Sequence, residues 1–162
     1  MNKEAYESLI SWAHEKPVRE NMLCGLTKVL PIVLGGMYII AILLCAVVYP
    51  VLLVRLILRP FFCFLTVTVM RRILSRERPY DVYGFVPLSG YHPGKKNSFP
   101  SRHTASAAII ALELFHLWPV VGSMTLFLAA CMGTLRIVCG NHFIRDVIGG
   151  FVIAFIFYIL WK

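Results

Sequence analysis

The chain has 162 residues, 59% of them hydrophobic and 15% charged, with a formal net charge of +8 and a mean hydropathy of +0.75. That profile excludes an ordinary soluble domain and points to a polytopic membrane protein, with length for one domain. A basic balance can serve nucleic acid, but the apolar runs leave no soluble basic domain for that role. Anionic lipid or phosphate is the expected partner, beside the bilayer itself, and nucleic acid is not.

Residues 1–28 are mixed in charge. Tyr6, Leu9, Ile10 and Ala13 recur at helical spacing, with Lys3, Glu4, Glu7 and Glu15 opposite them. The pattern predicts an amphipathic helix, lying in the membrane interface or in solvent. The first apolar run starts near Val29, after this acid-containing segment, and no cleavable signal peptide is evident. From Val29 to Val54 there is no charge. The run is too long for one untilted span and contains Pro50, which predicts a helix over 29–49, a break at Tyr49-Pro50 and a second helix over 51–72. Residues 73–100 hold Gly84, Pro87, Gly90, Pro93 and Gly94 and read as a long polar loop. Helices over 101–117, 119–138 and 143–161 follow, divided by a turn at Trp118-Pro119 and a break at Cys139-Gly140-Asn141, with Ser101 as the expected cap of the first. Trp118 and Trp161 suit an interfacial depth. The five cysteines, at 24, 45, 63, 131 and 139, form no CxxC and read as reduced packing residues. There are no internal repeats. The expected class is all-α, a polytopic membrane helix bundle with about five transmembrane helices and an N-terminal amphipathic helix.

Three polar clusters interrupt this apolar pattern: Arg71-x6-Arg78-Pro79, Pro100-Ser101-Arg102-His103, and Arg136-x5-His142-x3-Asp146. Five alternating spans bring all three to one membrane face. Ionisable groups at helix ends in a membrane protein are expensive unless they have a function. His142 and Asp146 are four apart and stack on one face if the last helix begins near Asn141. A carboxylate beside an imidazole fixes its tautomer and leaves the other ring nitrogen free to attack. Arg136 can face the same pocket across the Gly140-Asn141 turn. Ser101 offers a hydroxyl and backbone N–H groups at a helix start, where anions are favoured. His103 is a second imidazole, available as a general acid. Arg71 and Arg78 add cations. These are the parts for handling a phosphate group.

The clusters resemble the type 2 phosphatidic acid phosphatase (PAP2) family, which shares its core with vanadium-dependent haloperoxidases. The family pattern is Lys-x6-Arg-Pro, Pro-Ser-Gly-His and Ser-Arg-x5-His-x3-Asp; all the spacings hold here, over about residues 50–160. The resemblance implies that residues 29–162 form the phosphatase domain, with a PAP2/haloperoxidase-like core. It implies His142 as the nucleophile that forms a phosphohistidine, Asp146 as its orienting partner, and His103 as the acid that protonates the leaving oxygen and then activates water. Arg71, Arg78, Ser101 and Arg136 would cradle the phosphoryl oxygens, and Arg102 would join them through its backbone N–H, its side chain adding a cation or narrowing the entrance. No cofactor and no metal is implied. Three positions depart from the pattern: Arg71 stands for lysine, Arg102 for glycine and Leu135 for serine. The family's common form also has six spans, and here the first is missing or reduced to the amphipathic segment.

Bland readings compete with these. A lone arginine at a membrane edge is ordinarily a snorkelling anchor, which is the reading for Arg72. His142 with Asp146 could be a structural pair capping the last helix. His14, His92 and His116 match no motif and read as ordinary loop or helix-end residues, and Lys95-Lys96 reads as a solvated charge pair. By a rise of about 1.5 Å per residue, Arg59 lies roughly 18 Å below Arg71 and Glu113 roughly 15 Å below His103. Similar depth on consecutive helices predicts a buried ion pair.

A phosphate site at helix ends flanked by apolar walls fits a lipid phosphate or diphosphate: a polyprenyl diphosphate, phosphatidic acid or phosphatidylglycerophosphate. With no soluble domain to recognise a large headgroup, the polyprenyl diphosphate is mildly favoured. Two rivals remain: a catalytically silent anionic-lipid binding or transport protein, and a haloperoxidase, which this composition opposes. Among the 16 Lys and Arg, all but Arg55, Arg59 and Lys162 fall on the site's side. The positive-inside rule alone would put that side in the cytoplasm. The resemblance to bacterial members that recycle polyprenyl carriers implies the extracytoplasmic face, and that face is the expectation carried forward for an integral protein of a bacterial cell membrane.

Overall fold

The structure, a computed structural model, describes residues 1–161; Lys162 lies outside them. It has seven helices: α1 (Lys3–His14), α2 (Pro17–Val48), α3 (Pro50–Leu74), α4 (Pro79–Tyr83), α5 (Arg102–Leu117), α6 (Pro119–Val138) and α7 (Ile144–Leu160). No strand occurs among the described residues. The all-α class read from the sequence is the class observed.

Proline sets most of the helix starts. Pro17, Pro50, Pro79 and Pro119 each occupy the first turn of a helix, where a missing N–H is harmless and the fixed φ is already helical. The α2–α3 and α5–α6 turns therefore fall where Tyr49-Pro50 and Trp118-Pro119 put them. The helix expected over 29–49 is longer than its apolar run. It starts at Pro17 because Leu23, Thr27, Leu30 and Leu34 form one buried stripe across the charged segment. The expected 73–100 loop contains the short helix α4, closed by Gly84 with φ 74°.

α5 is the central helix. Ala105, Ala107, Ala108 and Ala111 are buried along it, and small residues let neighbouring backbones approach. The approach of α7 to α5 is closest at Gly150: a Cβ there would lie 2.8 Å from the Ser101 carbonyl oxygen. This crossing brings the start of α5 against the start of α7, and the Ser101 N–H donates to the Asp146 carbonyl at 2.9 Å. Cys63 of α3 packs with Ala108, Ile109 and Ala154 in the same core.

Among the described residues, three segments are long and apolar enough to cross a bilayer: Pro17–Val48, Pro50–Tyr83 (α3, the four residues after it and α4) and Pro119–Val138. α5 and α7, with 16 and 17 residues, are shorter than the ~20 residues of a typical span. Large apolar side chains such as Ile32, Val47, Val51, Phe127 and Leu160 face outward, as they do in a protein whose solvent is lipid.

The predicted deep ion pair is present. Arg59 donates through Nη1 to Glu113 Oε1 and through Nη2 to the Trp161 carbonyl, and Arg55 Nε lies 3.7 Å from Glu113 Oε2. Arg71 is buried while Arg72 is exposed, which separates the two as the motif spacing did. α1 lies neither free in solvent nor only at an interface: Tyr6, Ile10 and Ala13 are buried, the last two against Leu23, Leu88 and Cys139.

Candidate active site

The ends of α3 and α6 and the starts of α5 and α7 meet at one end of the bundle. Between them is a cavity of about 260 Å³ lined by Arg71, Arg78, Gly90, His92, Lys95, Asn97, Arg102, His103, Arg136, Asn141 and His142. Six of the eight candidate residues therefore share one cavity, and Asp146 stands directly behind His142.

The turn carrying His142 is built by the end of α6. Gly140, at φ 76°, follows the Cys139 cap. The Asn141 N–H bonds the Arg136 carbonyl at 3.0 Å and the Gly140 N–H bonds the Ile137 carbonyl at 2.9 Å. This pair of bonds is a Schellman closure, which needs a left-handed residue at Gly140. The His142 N–H also reaches the Arg136 carbonyl, at 3.2 Å. One carbonyl thus gathers the turn, and it belongs to the residue whose guanidinium lines the cavity.

His142 lies before α7, whose N-cap is Phe143, so the two site residues do not stack as neighbours on a continuous helix. The contact forms through the helix start instead. Asp146 Oδ2 accepts the Phe143 N–H at 2.9 Å and the Ser98 hydroxyl, and lies 3.5 Å from His142 Nδ1. The carboxylate is half of a capping box and a partner to the imidazole at once. Burial, helped by Arg78 and Arg71, outweighs the Asp146 carboxylate and brings the His142 pKa down to about 4. The imidazole is neutral at pH 7, the form with a free lone pair.

Three of the four arginines are individually anchored. Arg71 Nη1 donates to the Pro100 carbonyl at 2.9 Å. Arg78 donates to Asn97 Oδ1 from Nε and Nη2, at 3.2 and 3.0 Å. Arg102 holds its guanidinium over the Phe64 ring at 5.2 Å. It therefore also lines a second, mostly apolar cavity of about 240 Å³ with His103, Leu34, Gly35, Phe64, Ser106 and Ile110. Phe64, Ser106 and Ile110 continue into a third of about 380 Å³, between Tyr38 and Ile42 of α2 and Ile57, Pro60 and Phe61 of α3. A groove with hydrocarbon walls leads from His103 down the bundle.

Ser101 does cap α5 in position, but its hydroxyl turns to Thr104 Oγ1 at 2.9 Å and does not line the cavity. Leu135, at the family's serine position, packs into the core beside Cys139 and Met132. His92 and Lys95 are not ordinary loop residues: both line the cavity, whereas Lys96 pairs with Glu77 at 3.1 Å. Asn97, Ser98 and Asn141 also belong to the site and carry no motif signal. Among the described residues, no group of three or more His, Cys, Asp or Glu side chains is arranged to hold a metal ion.

An all-helical integral membrane protein that gathers three imidazoles and four guanidinium groups around one cavity at its helix ends defines a phosphate-handling class. The chain belongs to the PAP2 superfamily, whose family model matches residues 51–162. It is 29% identical over 94 residues to a lipid A 1-phosphatase of Rhizobium etli, covering 55% of this chain and 40% of that protein. It is 41% identical over 61 residues to an acid phosphatase of Zymomonas mobilis, covering 38% of this chain and 23% of that protein. The chain thus spans less than half the length of these curated relatives. Its fold is similar to the crystal structure of LpxE from Aquifex aeolicus, with a TM-score of 0.76 at 22% identity over 98% of this chain and 93% of that one. It is also similar to a transmembrane PAP2-type phosphatidylglycerolphosphate phosphatase of Bacillus subtilis, with a TM-score of 0.58 at 23% identity over 98% and 83%.

Proposed function

We propose that the chain is a lipid phosphatase that removes a phosphate from a lipid phosphomonoester or diphosphate through a phosphohistidine on His142. The observation that carries this reading is the shared cavity: His103, His142, Arg71, Arg78, Arg102 and Arg136 line it, and Asp146 faces the inner nitrogen of His142. The anionic phosphate, bound among the arginines, brings a proton onto His103; His142 Nε2 then attacks phosphorus while the bond to the lipid oxygen breaks, and that oxygen takes the proton from His103. Asp146 stabilises the charge gained by the imidazole. Water then gives a proton to His103 and attacks the phosphohistidine, which releases inorganic phosphate and restores His142. The four arginines stabilise the equatorial oxygens in both steps. Ser101 contributes by holding the start of α5 to Asp146 through its N–H, while its hydroxyl stays on Thr104.

The apolar groove leading from Arg102 and His103 supports a substrate with a hydrocarbon chain. The names of the relatives support lipid phosphates as the class. Polyprenyl diphosphate is the favoured member, with phosphatidic acid and phosphatidylglycerophosphate beside it, and the extracytoplasmic face is the favoured side. A silent lipid-binding protein has no use for the paired imidazoles.

The test is phosphate release by purified protein in detergent across those three lipids. His142→Ala abolishes release and leaves the unfolding temperature unchanged; full activity in that variant refutes the mechanism. Vanadate inhibits and EDTA does not. Thiol labelling in intact cells, on a variant whose single cysteine is introduced into the 84–97 loop, reads the side of the membrane.

A further inference from the structure

One side chain reaches His142 from the other end of the sequence. Tyr6 of α1 is fully buried, and its hydroxyl donates to the His142 backbone carbonyl at 3.0 Å, across 136 residues. That carbonyl precedes the N-cap of α7 and receives no helical N–H: the Asp146 and Val147 N–H groups both bond Phe143. A buried carbonyl needs a donor, and here the donor is a side chain from α1. The Tyr6 ring is itself held on three sides, by Tyr83 at 5.8 Å, Phe85 at 5.7 Å and Phe143 at 6.0 Å between centroids. Phe85 is the ring against which a Cβ at Gly140 would lie at 2.5 Å. Burial, with the Asp146 charge adding, raises the Tyr6 pKa, so the phenol keeps the proton it donates.

The residue carrying the imidazole is thus fixed at both backbone ends: its N–H by the Arg136 carbonyl, its carbonyl by Tyr6. The tyrosine does not line the cavity and touches no reacting atom. We propose that Tyr6 is a positioning residue, a strut from the N-terminal helix that sets the angle of the His142 imidazole between Asp146 and the phosphoryl group. This rests on the reading of His142 as nucleophile. Alignment of a nucleophile is sensitive at the ångström scale, where misplacement by about 1 Å reaches about a hundredfold in rate.

The test uses Tyr6→Phe, which keeps the ring and removes the donor, with phosphatidic acid in detergent micelles as the probe. The expected result is a fall of about tenfold in kcat with KM unchanged, seen also in single-turnover formation of the phosphoenzyme. Ile10→Ala is the control: it loosens the packing of α1 without touching His142, and is expected to lower the unfolding temperature at wild-type kcat. Wild-type kcat in Tyr6→Phe overturns the strut, as does a fall confined to KM or an equal fall of kcat in Ile10→Ala. His142→Ala separates the two levels: inactive, it leaves the nucleophile reading standing whatever Tyr6 does; fully active, it overturns both.

Discussion

Gly35→Phe tests whether the apolar groove holds the lipid chain. Gly35 sits on α2, opposite Ser106 and Ile110 of α5, and a Cβ added there meets no atom within 4 Å. The new ring can enter the groove without disturbing the backbone. From Ser106 to Ile110, α5 rises roughly 6 Å, length for about four methylenes of an extended chain. At about 0.8 kcal/mol per buried methylene, excluding four of them removes about 3 kcal/mol of binding, or somewhat more than a hundredfold. The assay compares kcat/KM for a long-chain lipid phosphate with that for a water-soluble aryl phosphate. The long-chain value falls by about two orders of magnitude, and the aryl phosphate, which does not reach the groove, keeps its rate. An equal loss on both substrates would show that the ring had disturbed the polar cavity. No loss on either would show that the chain lies elsewhere, and the groove argument would fall.

The deep ion pair is expected to be strongly coupled. Arg59→Ala or Glu113→Ala alone leaves a buried charge without its main partner and lowers stability in detergent by about 3–5 kcal/mol, while the double variant loses much less than the sum; additive losses would rule out the pairing. The lowered pKa of His142 makes a pH-dependent contribution. Above about pH 6.5 both states are neutral and the group contributes nothing. Between there and about 4, the unfolded chain takes a proton that the folded one refuses, so stability falls with acid, by up to about 2 kcal/mol at pH 5. The difference in unfolding between pH 7.5 and pH 5 shrinks by that amount in His142→Asn, and an unchanged difference contradicts a buried neutral imidazole.

Much of the site was legible because its residues sit where the backbone pattern is strongest. Arg71, Arg136, His103 and Asp146 lie in the first or last turns of long helices, and prolines mark where those helices turn. Alternation then decides which ends meet. The start of α2 was hidden for a local reason: Arg19, Glu20 and Lys28 break the apolar run, although they stand off the buried stripe of Leu23, Thr27 and Leu30. His92, Lys95, Asn97 and Ser98 were missed for a different one. They belong to a loop with no periodicity, and its path over the cavity is set by contacts distant in sequence, such as the Tyr80 hydroxyl on the His92 carbonyl and the Ser98 N–H on the Arg76 carbonyl. Ser101 shows the limit of motif reading, since its hydroxyl has a rotamer that faces Thr104 and the sequence carries no sign of it.

The bond from Tyr6 to His142 also bears on biogenesis. The two residues are separated by most of the chain, and the acceptor carbonyl takes its position only when the turn after α6 and the start of α7 are in place. Helices inserted earlier can pack as they emerge, but this contact closes a loop of high sequence separation and forms late on that account. A chain whose last hairpin has not docked therefore has Arg71, Arg78 and Arg102 without the His142 backbone held between Arg136 and Tyr6. On the proposed reading of His142, competence to react then waits on the docking of the final hairpin against the first helix.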